Sequence, residues 1–166
     1  MPLSYLDKII DFIRSVGIEV SFATINEDTF LPGILITGGR LTVDKEKLLY
    51  PGDLLHEAGH IAVMEPHDRN LLNGNVGETK PQQESLGEEM MAIAWSYAAC
   101  VKAGIPPEVV FHEAGYKGAS SWYIEQYTSG SFLSVPLMKW AGFCHDEKSA
   151  EENNTAPYPA MLKWLR

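Results

Sequence analysis

The residues best suited to chemistry stand in the stretch LLHEAGHIAV, residues 54–63: His56, Glu57 and His60 inside an otherwise apolar run. On an α-helix, positions four apart share one face, so both imidazoles can approach one cation. Zinc takes histidine nitrogens at about 2.0–2.1 Å. Glu57 lies one position further round the helix, beside such a cation rather than on it. From there its carboxylate can take a proton from a water whose pKa zinc lowers towards about 7. Gly59 costs about 1 kcal/mol in a helix interior, so its presence predicts that another element packs against that turn. Two histidines do not complete a catalytic zinc site, which needs a third protein ligand. Without one, the pair reads as two hydrogen-bonded core histidines.

The search for that ligand moves down the chain. His67 follows His60 by seven residues and Val63 stands where a metzincin has glycine, so that pattern fails. Glu65 and Asp68 lie just past the helix end without a pattern to favour them. Glu88 and Glu89 open a second helical run, MMAIAWSYAACVKAG. Ala92, Ser96 and Ala99 follow Glu89 at steps of three or four, a stripe of small side chains headed by a carboxylate. Laid against Ala58, Gly59 and Ala62, this stripe aims Glu89 at the two histidines. Glu88 is the alternative, but it stands in capping-box spacing from Ser85, which turns it back towards the helix start. The competing reading leaves both glutamates solvated at the positive end of the helix dipole.

A hydrolytic zinc site also needs a group facing the developing oxyanion. His112, in VVFHEAGYKG, and Tyr116 are the candidates for oxyanion or substrate contact, with Tyr97 a further one. Arg69 could hold the loop after the histidine helix or meet a substrate carboxylate. Trp122, Trp140 and Trp164 are expected to anchor the core of the last third.

These residues need elements to position them. Leu6, Ile9, Ile10 and Ile13 recur at helical spacing, predicting an amphipathic helix over 4–15 ended by Gly17. GIEVSF reads as a strand. GILITGGRLTVD reads as a hairpin turning at Thr37-Gly38-Gly39. KEKLLYPGD links to the histidine helix, for which Asp53 is the expected N-cap and Pro66 the stop. Residues 66–84 read as a long polar loop, and Gly104 with Pro106-Pro107 ends the glutamate helix. Beyond it, PPEVVFHEAGYKG and SSWYIEQYTSG suggest short helices, VPLMKWAGF an apolar face, EKSAEENNTAP a polar loop and PYPAMLKWLR a closing helix.

The order of strand, hairpin, HExxH helix, polar loop and glutamate helix resembles the ImmA/IrrE-type metallopeptidases. The pieces are GGRLTVD (38–44), LLHEAGHIAV (54–63) and EMMAIAWSYA (89–98), covering roughly residues 17–100. The resemblance implies a zincin-like α+β fold, mostly helical with a small antiparallel sheet before the HExxH helix. It implies zinc held by His56, His60 and Glu89, with Glu57 as general base. Family members cut, or are thought to cut, repressor-type proteins in bacteria. This chain departs from the family where Ile93 replaces an asparagine and Trp95 a phenylalanine, and where the helix ends in Cys-Val-Lys-Ala-Gly.

Composition narrows the partners. With 166 residues, a single domain over 1–166 is expected. A net charge of −9 disfavours nucleic acid and anionic membranes and weakly fits a cation or a basic peptide; the peptidase reading implies a peptide or protein substrate. Cys100 and Cys144 form no CxxC pair and read as reduced thiols. The start MPLSYLDKIIDFIRSVG has no basic n-region and carries Asp7 and Asp11, unlike a signal peptide, and a cytoplasmic location is expected. The functional expectation is a small zinc-dependent peptidase. The alternative is a metal-stabilised, non-catalytic interaction or regulatory protein of the same fold.

Overall fold

The computed structural model describes residues 5–74 and 82–166, the side chains of 82–85 excepted. Helix α1 (Leu6–Ser15) buries Leu6, Ile9, Ile10 and Ile13, the face its periodicity predicts. Strands β1 (Val20–Phe22), β2 (Ile34–Thr37) and β3 (Arg40–Val43) form a sheet of order β1-β3-β2. The hairpin joins β2 to β3, pairing Ile34 with Val43 and Thr37 with Arg40. Gly38 and Gly39 take φ of 58° and 71°, the two left-handed residues a tight hairpin turn requires.

The sheet is not purely antiparallel, because β1 pairs parallel to β3 with Val20 opposite Leu41. Only β2 and β3 share a tight turn. Residues 23–33 are long enough to let β1 lie on the far side of β3. Asp44, at the end of β3, ties this segment down by accepting hydrogen bonds from the backbone N–H groups of Ile25 (3.0 Å) and Glu46 (3.1 Å). The bond from Ile25 holds its carboxyl below the usual range.

Helix α2 (Gly52–Val63) carries the two histidines and is buried nearly throughout. It starts two residues before the expected Leu54. Pro51 occupies the N-cap position, so Asp53 sits inside the first turn and caps nothing. A Cβ on Gly52 would collide with the Val109 carbonyl, so only glycine lets α2 begin against that backbone. The helix stops at Met64, which turns extended ahead of Pro66.

Its last carbonyls are held from outside. Ile61 accepts from Arg69 Nε (3.3 Å), Ala62 from the Arg166 N–H (3.0 Å) and Val63 from Arg166 Nη1 (3.4 Å). Arg69 Nη2 also donates to the Arg166 carbonyl at 2.8 Å, and Arg166 pairs with Glu65 at 2.7 Å. Arg69 therefore secures the end of the histidine helix.

The expected loop over 66–84 contains one helical turn, α3 (Pro66–Arg69), and residues 75–81 lie outside the described part. Helix α4 (Gln82–Ala103) already includes Ser85 in its first turn, so the Ser85–Glu88 capping box does not form at a helix start. Helices α2 and α4 pack at very short distance. Ala58, Ala62, Ala92, Ser96 and Ala99 are fully buried. The Ser96 hydroxyl reaches the carbonyls of Ala92 (2.7 Å) and Leu55 (3.4 Å). The small-residue stripe thus meets the Ala58-Gly59-Ala62 face as its spacing predicts.

After Gly104 (φ 64°) the chain makes two 3-10 turns, Pro107–Val109 and Tyr116–Gly118, where one short helix is expected. Helix α5 (Ser120–Thr128) follows expectation, and the stretch expected only to pack an apolar face is a helix, α6 (Val135–Trp140), burying Val135 and Met138. The polar EKSAEENN stretch is a helix, α7 (Glu147–Asn153), because Asp146 caps it by accepting from the Ser149 N–H at 2.8 Å. The closing segment 157–166 is not helical. Pro157 and Pro159 lack N–H groups, and backbone groups of the segment bond to distant elements: the Leu162 N–H donates to Phe143 O (2.7 Å), and Trp164 O accepts from the Trp95 indole Nε1 (3.0 Å). Trp95, not the expected trio, is the fully buried tryptophan, with Trp164 against it; Trp122 and Trp140 are exposed. Among the described residues no helix is long and apolar enough to cross a membrane.

The α2–α4 contact makes a sign prediction. In Gly59→Ala the new Cβ would lie 2.8 Å from the Ala92 carbonyl oxygen and 3.2 Å from its Cα. Overpacking costs about 1–3 kcal/mol, which outweighs the helix-propensity gain of about 1 kcal/mol. Gly87, also in α4, has no described atom within 4 Å of the same probe, so Gly87→Ala should stabilise by up to about 1 kcal/mol. Thermal unfolding should show the two substitutions moving Tm in opposite directions.

Candidate metal centre

One turn of α2 separates the imidazoles of His56 and His60, and their rings stand perpendicular with centroids 4.7 Å apart. Their Nε2 atoms face each other at 3.1 Å. From α4, the Glu89 carboxylate spans the two rings, Oε1 lying 3.2 Å from His56 Nε2 and Oε2 2.8 Å from His60 Nε2. Burial alone would raise the Glu89 pKa, but hydrogen bonds and charge from His56 and His60 outweigh it and hold the carboxyl below its usual range.

This donor set fits a small divalent cation. Two imidazole nitrogens and a carboxylate oxygen are donors that zinc, a borderline-soft cation, takes. Tetrahedral ligands at about 2.0–2.1 Å from zinc lie about 3.3 Å from one another. The 3.1 Å between the two Nε2 atoms is already close to that, and each Nε2 has its own Glu89 oxygen at 2.8–3.2 Å. Each Nε2–H can donate to its own Glu89 oxygen, but two N–H groups would then face each other at 3.1 Å, an approach that a shared cation would relieve.

Glu57 occupies a different niche. One of its oxygens and a nitrogen of each histidine lie within 4.8 Å of one another. The geometry therefore offers a second carboxylate near the imidazoles, but Glu89 is the one in contact with both Nε2 atoms. Burial pushes the Glu57 carboxyl up to about 7, helped by the charges of Glu89 and Asp53 and opposed by His60. A carboxyl poised near neutrality can hold or release a proton there. Glu88 lines the cleft beside these groups but does not make the paired imidazole contact of Glu89.

Tyr116 comes from the 3-10 turn that faces α2. Its phenol oxygen lies 3.4 Å from His56 Nδ1, and the rings meet edge-on at 5.5 Å. Tyr116, Lys117 and Gly118 are consecutive left-handed residues, with φ of 55°, 53° and 84°. For the first two this is strained backbone, costing of order 1–3 kcal/mol each. In this conformation the Tyr116 ring lies against the His56 imidazole. Burial raises its phenol pKa well above the ordinary value, so it stays protonated.

His112 lines the same cleft with its ring committed. Nε2 lies 2.7 Å from Asp53 Oδ1, both side chains being about one-tenth exposed. Tyr50 stacks on the ring at 3.8 Å with planes 6° apart. Nδ1 is buried and has no hydrogen-bond partner among the described residues. Asp53, expected to cap α2, instead pairs with His112, and burial still raises its pKa against that pairing. The sequence held a signal for this pair: Asp53 precedes His56 by three residues, so it must share the histidine face of α2. Tyr97 lies elsewhere, stacked on Tyr127 at 4.9 Å within the core. His67 is mostly exposed beside Asp68 and belongs to no cluster with His56 or His60.

These groups open onto a cleft of about 620 Å³, within the range of small-ligand and peptide side-chain sites. Comparison with models of known protein families, with characterised proteins and with solved structures returns no match.

The Asp53–His112 pair makes its own prediction. Asp53→Ala and His112→Ala each leave a buried polar partner unpaired and should cost about 1–3 kcal/mol in urea unfolding. The double variant should cost clearly less than the sum of the two, since the coupling is removed once.

Proposed function

We propose that the protein is a small zinc-dependent peptidase with a zincin-like site. His56, His60 and Glu89 would hold the metal and Glu57 would act as general base. The observation that carries the reading is the meeting of three donors from two helices at 2.8–3.2 Å beside a buried second carboxylate. The resemblance to the ImmA/IrrE-type metallopeptidases points the same way. When bound, zinc polarises a carbonyl oxygen and lowers the pKa of coordinated water towards about 7.

The chain's own residues supply the rest. Glu57, near neutrality in its buried position, can accept a proton from water and return it to the leaving amine. With His56 Nε2 given to the metal, Nδ1 carries the ring proton and donates to the Tyr116 oxygen, fixing tautomer and orientation. Tyr116 thereby serves His56, and its protonated phenol is also the hydroxyl best placed to face an oxyanion in the cleft. His112, paired with Asp53, is a positioning residue for the start of α2 in this reading.

The alternative of a closed, structural metal site would need a fourth protein ligand. His67 is exposed beside Asp68, and the His112 nitrogen facing its partner is taken up by Asp53. The donors face a cleft instead, which favours catalysis.

Elemental analysis should find about one zinc per wild-type chain, with His60→Ala and Glu89→Ala each losing most of it. Glu57→Gln should keep the zinc and lower peptide hydrolysis by about 10²–10⁴-fold. Hydrolysis at the wild-type rate by Glu57→Gln would show that this carboxylate is not the base.

A further inference from the structure

The wall of the cleft opposite α4 leaves large apolar side chains in solvent. Phe30 is 73% exposed and Leu49 55% exposed, and both line the cleft with Leu31, Pro32 and Tyr50. Isolated exposed apolar residues need no explanation, but these come from two separate segments held side by side. Gly33 makes that possible: a Cβ there would strike the Leu48 backbone, with Leu48 Cα at 2.7 Å and Asp44 O at 2.8 Å. The Asp44 N–H donates to the Gly33 carbonyl at 2.9 Å, and Lys47 Nζ donates to the Ile25 carbonyl. The 30–32 and 49–50 segments are thus braced from behind while their side chains face outward beside His56 and Glu57.

The rest of the described lining includes His56, His60, Glu57, Glu89 and Lys117. An acidic side chain seated against the wall itself would give up its hydration among apolar neighbours. An apolar side chain would cover Phe30 and Leu49 and lose nothing.

We propose that this wall is a specificity pocket that seats a bulky apolar side chain of an extended peptide next to the metal centre, and that it rejects an acidic side chain. The inference rests on the peptidase reading for the placement of the peptide, and it names the substrate class within that reading.

Binding tests the wall apart from chemistry. The zinc-loaded Glu57→Gln protein is titrated calorimetrically with Ac-Ala-Ala-Phe-Ala-Ala-NH2 and with its Gly and Asp counterparts at the central position. The Phe peptide should bind at least about tenfold tighter than either, the scale expected from burying one large apolar side chain. Phe30→Ser and Leu49→Ser, both at exposed positions, should remove most of that preference. Leu71→Ser, an exposed leucine outside the cleft lining, should leave it intact. Equal affinities for the three peptides, no binding of any, or a preference untouched by both cleft variants would overturn the proposal. Selective binding of the Phe peptide with no hydrolysis of it by the zinc-loaded wild type would uphold the pocket and refute the peptidase reading.

Discussion

The approach of two helices at Gly59 is the constraint on which the site depends. With hydrogen alone at that position, α2 comes down onto the Ala92 backbone, where even a methyl group would lie 2.8 Å from a carbonyl oxygen. That distance sets where α4 stands, and Glu89 precedes Ala92 by one turn on the same face. A wider separation would carry the carboxylate away from the imidazoles. The buried alanines and Ser96 along the seam serve the same end, since larger side chains would push the helices apart.

Around this seam, two carboxyls of ordinary chemistry acquire opposite properties. Glu89 is also desolvated, yet it faces two imidazoles and stays ionised. Glu57 is more deeply buried and lies among other acids, which raises it to about 7. Environments that push two carboxyls apart in this way leave one ionised and the other able to exchange a proton near neutrality. The second carboxylate–imidazole contact, Asp53 with His112, lies at the start of α2, where it fastens the helix to the 106–120 segment. At the other end, Arg69 and Arg166 hold the α2 carbonyls. The histidine helix is thereby fixed at both ends and along one side.

Only His56 of this helix is not buried, and it faces the cleft. The sheet presents Asp44 as a tether for the 23–33 segment, and Gly33 brings that segment against the approach to α2. Rigid support behind exposed apolar side chains is what a preformed binding wall requires, because little ordering cost remains to be met on binding. The strained Tyr116-Lys117 backbone on the facing side has the same character, a local cost maintained where the ring must point inward.

Much of this was legible in the residues alone. Helical spacing put His56 and His60 on one face, glycine in a helix announced a close neighbour, and the stripe below Glu89 identified that neighbour. These are short-range consequences of a 3.6-residue period, so sequence determined them. The double glycine of the hairpin and the amphipathic α1 were equally local. Tertiary structure decided what local rules could not. Asp53 looked like a cap but found His112, 59 residues away. The polar 147–153 stretch became a helix once Asp146 capped it, and the tail lost its expected helix to long-range backbone bonds. The parallel pairing of β1, the inward turn of Tyr116 and the apolar wall arise only when distant segments meet. No periodicity encodes such meetings, because contact energy between remote residues, not local propensity, selects them.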